Sequence, residues 1–145
     1  MHLNSVLLLL CLCIVNNTFQ IRFTRKIKAI GFPYYKILLT LGTCKNSVLF
    51  KEEKVWPTVR LNRVMDIYYR SSNSDVKVSQ VDIFLIINNT DCVAFSTSGV
   101  GYPEFAATMF YATNMGATYY RLTIFTCDYN ITVETLEMIT NPSFV

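Results

Sequence analysis

Val78-Ser79-Gln80-Val81-Asp82-Ile83-Phe84-Leu85-Ile86-Ile87, closed by Asn88-Asn89-Thr90-Asp91-Cys92, decides how this chain folds. Successive side chains of a strand point to opposite faces, so Val81, Ile83, Leu85 and Ile87 share one side and Gln80, Asp82, Phe84 and Ile86 the other. The first set is expected to be core. The Asn/Asp-rich stretch that follows is a turn signal, and Cys92 to Thr97 reads as the next, shorter strand. Ser98-Gly99-Val100-Gly101-Tyr102 turns the chain again, and Glu104 to Ala112 then sets Phe105, Ala107, Met109 and Tyr111 on one face. After Asn114-Met115-Gly116-Ala117, Thr118 to Thr126 places Tyr120, Leu122 and Ile124 opposite Tyr119, Arg121, Thr123 and Phe125.

Upstream, Lys36 to Thr43 reads as a strand that turns through Cys44-Lys45-Asn46-Ser47 into Val48 to Glu52. Past Trp56-Pro57, where proline excludes a central strand position, Leu61, Arg63, Met65, Ile67 and Tyr69 alternate with Asn62, Val64, Asp66, Tyr68 and Arg70. Six or seven strands at this spacing predict one antiparallel β-sandwich or barrel over residues 36–127. Residues 128–145 form a tail in which Val133, Leu136 and Ile139 would line a short helix stopped by Asn141-Pro142.

The N-terminus sets the expected compartment. Val6 to Val15 is a ten-residue apolar run, the length of a signal-peptide core and about half of a bilayer-spanning helix. Residues 1–18 are therefore expected to be a cleaved leader, leaving a secreted protein with no stable membrane anchor. Secretion gives meaning to the acceptor triplets at Asn16, Asn88 and Asn130, of which Asn88 lies on a predicted turn. It also leaves Cys44, Cys92 and Cys127, an odd number for which one disulfide and one free thiol is the simplest arrangement. Three pairings are possible, and Cys92 with Cys127 is favoured slightly because one opens a strand and the other ends one.

The formal charge of +3 is unevenly distributed. Arg22, Arg25, Lys26, Lys28 and Lys36 stand without an acid among them, whereas from Ile37 onward eight basic residues face ten acids. Basicity thus belongs to one segment, and the domain as a whole is not expected to bind nucleic acid directly. Residues 19–35, interrupted by Gly31 and Pro33, read as a basic and aromatic lead-in to the domain. Their interleaving of cations with apolar residues suits an anionic membrane surface or polymer, but a solvated lead-in is the favoured expectation.

Catalytic and metal residues are expected to be none. His2 is the one histidine and lies in the leader, which removes Ser-His, Cys-His and His-metal arrangements from the processed chain. The cysteines lack metal-site spacing, and Glu52 and Glu53 are neighbours that point to opposite faces of a strand. No cofactor is expected. Gly99-Val100-Gly101 lacks the third glycine of a phosphate-binding loop, and reads as a tight turn with positive φ. Together with Tyr102 it is the expected recognition loop. Tyr68, Tyr69, Tyr111, Tyr119 and Tyr120 would offer an exposed aromatic face if they were not core, though core packing is favoured.

Five stretches in order carry a resemblance: Leu41-Gly42, Leu49-Phe50-Lys51-Glu52-Glu53, Val81 to Asn88, Ser98 to Tyr102 and Tyr120 to Phe125. Over residues 36–126 the chain resembles the insect multiprotein bridging factor 2 family. It departs from that pattern in having Asn88 where Asp is usual, Ser98 for the first of paired glycines, and Lys45-Asn46 where Gly-Asp is common. The family name implies a nuclear coactivator bridging an activator to the basal transcription machinery. Members with signal peptides imply instead a secreted salivary, haemolymph or defence-related protein. The leader and acceptor triplets favour the second: a non-enzymatic binding protein whose partner, a protein or small ligand, the sequence does not identify.

Overall fold

The structure, a computed structural model, describes residues 21–58 and 60–127. Its strands are β1 (Ile21–Arg22), β2 (Thr24–Gly31), β3 (Tyr34–Gly42), β4 (Ser47–Trp56), β5 (Arg63–Arg70), β6 (Gln80–Ile87), β7 (Val93–Ser98), β8 (Glu104–Tyr111) and β9 (Thr118–Thr126). They form two antiparallel sheets, one in the order β1-β7-β8-β5 and the other β2-β3-β6-β9-β4. The strands expected from periodicity are all present, and of the two expected forms, sandwich or barrel, the fold is an all-β sandwich. The tail, Asn16, Asn130 and the leader lie outside the described residues.

β6 occupies the centre of the larger sheet, between β3 and β9, with an inner face that is apolar throughout and an outer face that mixes Gln80 and Asp82 with Phe84 and Ile86. Val81, Ile83, Leu85 and Ile87 are fully buried, as expected. Ile37, Leu39 and Leu41 of β3 and Tyr120, Leu122 and Ile124 of β9 join them on the inner face. The facing sheet answers with Phe105, Ala107, Met109 and Tyr111 of β8, Ala94 of β7 and Ile67 of β5. The inner faces of the two layers bury their alternate residues in one shared core. Burying each large side chain is worth about 1.5–3 kcal/mol, and this shared interior is the main stabilising term.

On the outer face Phe84 is sheltered rather than buried. Lys36 Nζ lies 5.1 Å and the Arg121 guanidinium 4.9 Å from its ring centroid, and Tyr119 meets it edge-on at 6.0 Å. Long basic side chains cover an apolar ring while keeping their charges in water.

The expected lead-in is part of the sandwich. β1 pairs with β7 in the smaller sheet, the chain bends at Phe23, and β2 pairs with β3 in the larger. Phe23 packs edge-on against Phe105 at 6.3 Å, which pins this corner where one strand changes sheets. At the opposite edge Phe50 of β4 meets Tyr69 of β5, and Trp56 stacks on Tyr120 while touching Tyr111 edge-on. Here the inward register of the exposed edge strand β4 carries an ion pair, Glu52 to Lys54 at 2.5 Å. Inward-pointing charge on an edge opposes pairing with another chain.

Candidate functional site

The disulfide joins Cys44 to Cys127, with 6.0 Å between their Cα atoms, and not Cys92 to Cys127. Register explains the correction. Gly42, Gln80 and Phe125 stand side by side on β3, β6 and β9, so the two cysteines emerge just beyond the same end of β6. Ser79 fills the gap between them: its Oγ reaches the carbonyls of Cys44 at 2.7 Å and Phe125 at 3.1 Å. Cys92 lies past the other end of β6, about 20 Å or more away at a strand rise of about 3.4 Å per residue. That is far beyond disulfide reach.

Cys92 is a free, fully buried thiol. Burial pushes its pKa up to about 12 from 9.0, with Arg25 pulling weakly the other way. The sign follows from the protonated form being the one the fold prefers: this contribution is fully present below about pH 9 and is lost as pH rises toward 12. Iodoacetamide is therefore expected to label residue 92 in denaturant but hardly at all in the folded protein at pH 8 to 9. Peptide mass mapping reads the difference, and full labelling of the folded protein at that pH would refute a buried thiol.

The loop Gly99-Val100-Gly101-Tyr102 is a fastener. Gly101 has φ +92° and donates its N–H to the Val78 carbonyl at 2.8 Å, while the Val78 N–H returns a bond to the Tyr102 carbonyl at 2.8 Å. Gly99 is buried against Phe105 and Leu41. Val100 and Tyr102 are the members with exposed side chains. The expected positive φ is present at Gly101, two hydrogen bonds tie the loop to Val78, and the Tyr102 N–H donates to the Gly99 carbonyl within it.

Asn88 stands at the end of β6, half-buried, and its Oδ1 accepts the Gly116 N–H at 2.9 Å. It thus ties the β6 exit to the turn between β8 and β9. An aspartate at this position would supply the same acceptor oxygen.

The tyrosines do not form one exposed face. Tyr111 and Tyr120 are core, Tyr69 and Tyr119 are half-buried, and Tyr68 is exposed. Burial raises the ionisation of Tyr111 and Tyr120 well above the ordinary phenol range. The Tyr120 hydroxyl has no hydrogen-bond partner among the described residues. An unpaired buried hydroxyl is destabilising, so Tyr120→Phe is expected to keep or raise stability by about 1 kcal/mol in urea unfolding. A loss larger than about 1 kcal/mol would show that the hydroxyl is bonded in the folded chain.

The basic segment lines an open edge. In the hairpin register Arg25 is level with Leu39 and Ile27 with Ile37, so these side chains are on the inward side, yet both are exposed. The cause is topological: β1 is two residues long, and past it the smaller sheet has no strand to cover β2. What remains is a cleft of about 220 Å³ between β2 and β7. Buried Leu39, Cys92 and Ala94 form its floor, Phe23 one wall, and exposed Arg22 and Arg25 its rim. Its chemistry is an apolar hollow with two positive charges at the mouth. Among the described residues no three of His, Cys, Asp and Glu converge to hold a metal.

Compared with family models, with curated proteins and with solved structures, the chain matches none. Fold and site by themselves define its class: a disulfide-clipped antiparallel β-sandwich with an open, cation-rimmed edge.

Proposed function

We propose that this chain is a secreted, non-enzymatic binding protein, a divergent relative of the insect multiprotein bridging factor 2 family, that recognises a small ligand or a protein partner. The cleft between β2 and β7 is the observation that carries the reading: it is an open, largely apolar hollow of about 220 Å³ with few polar groups, all of one sign. The Cys44–Cys127 bridge supports an oxidising compartment, where such bonds form and persist, over the nucleus. The N-terminal apolar run and the acceptor triplets support the same route.

Expression in insect cells tests the compartment. Protein in the medium is expected to have lost about 15 to 20 N-terminal residues, by mass and N-terminal sequencing. Unprocessed protein confined to the nucleus would overturn it. Native mass spectrometry of the secreted protein tests binding: a co-purifying adduct is expected and is weakened by Arg25→Glu. An adduct that survives Arg25→Glu unchanged would remove the cleft from the reading.

A further inference from the structure

We infer that the β2–β3 hairpin is a wedge that docks on the surface of an anionic lipid bilayer. Its tip is apolar and uncovered. Phe32 is 99% exposed, and Ile30 and Tyr34 beside it are exposed as well. Large apolar side chains scattered singly on a surface are ordinary, but Phe32 and Ile30 together at the apex of one hairpin form an exposed patch, while the Tyr34 hydroxyl lies back toward Gly116.

Cations stand immediately behind this apex. Lys28 is paired with Lys36 across the hairpin, and Lys26 with Leu38 one step further back, all three lysines being exposed. Two like charges directly opposite each other weaken a strand pair, so the register of Lys28 and Lys36 has a cost that an anionic surface would relieve. At about 3.4 Å per residue the pair lies about 10 Å behind the tip. Interfacial elements bury their apolar side about 5–10 Å into the headgroup and acyl boundary. Seating Phe32 and Ile30 among the acyl chains therefore brings Lys28 and Lys36 level with the lipid phosphates.

Along the hairpin itself the charge is of one sign. No acid occurs between Phe19 and Thr43. Asp91, in the turn after β6, is an acidic residue at the same end of the sandwich, since Ile87 is level with Tyr35. Lysines along an edge strand also discourage sheet-to-sheet pairing, which accounts for Lys26 and Lys28. It does not account for an exposed phenylalanine at the apex. A soluble polyanion would engage the lysines and gain nothing from Phe32, so the apolar tip favours a bilayer.

Sedimentation with vesicles of phosphatidylcholine alone, or phosphatidylcholine mixed with phosphatidylglycerol, tests the inference. Binding is expected to the mixed vesicles and to fall with added salt. Phe32→Ser is expected to weaken it about tenfold or more, and Lys28→Gln with Lys36→Gln by about fivefold per cation removed. All variants share one N-terminus, so differences among them report the hairpin. Since Phe32 is exposed, its replacement leaves the fold intact by circular dichroism. In Phe32→Trp, emission is expected to shift to the blue with mixed vesicles beyond any shift of Trp56 in the parent. Absence of binding would overturn the wedge, and binding that is indifferent to Phe32→Ser and equalled by heparin would replace it with a polyanion site.

Discussion

Replacing Cys44 and Cys127 together by alanine is expected to lower the free energy of unfolding by about 2–5 kcal/mol. The two residues are 83 apart in sequence and meet beyond one end of the central strand β6. Joining them closes most of the described fold into one loop, which restricts the unfolded chain far more than a short loop would. Urea titration of the parent and the double variant measures the loss, and a change below about 1 kcal/mol would show that the link adds little beyond packing. Reducing agent should reproduce the loss in the parent and have no effect on the variant. A protein that depends on this bond is poorly matched to a reducing compartment, so the stability result bears on the proposed secretion as well.

Gly42→Ala is expected to cost about 3 kcal/mol or more, whereas Gly101→Ala costs about 1–2 kcal/mol. Both positions have positive φ, +88° and +92°. They differ in surroundings. A Cβ at Gly42 would lie 2.2 Å from the Ser79 carbonyl oxygen and 3.0 Å from Gln80 Cα, whereas at Gly101 nothing stands within 4 Å. The obstacle at Gly42 is backbone entering β6, which cannot move without shifting the register that also brings the cysteines together. The same urea titration measures both variants. Equal losses would show that conformation alone, and not close approach, fixes glycine at residue 42.

Periodicity made most of the fold legible because each inner strand reports its own environment. β6, β8 and β9 bury alternate residues, and their apolar positions repeat every second residue whatever the neighbours are. β2 carries no such signal. Thr24 to Gly31 is exposed along its whole length, since the smaller sheet stops short of it, and a strand with no buried face reads like a solvated segment. The candidate site escaped for the same reason. Arg22 and Arg25 stood out as charges, but Leu39, Cys92 and Ala94, which give the cleft its floor, come from distant stretches and look like ordinary core.

Alone, the sequence determined the all-β class, the inward face of the central strands and the turns between them, because these follow from side-chain alternation and local backbone preference. Tertiary structure decided which cysteines pair, which edge stays open and which aromatic is left at a hairpin tip. Those outcomes depend on strand order and register, and every one of them brings together residues whose local patterns say nothing about each other.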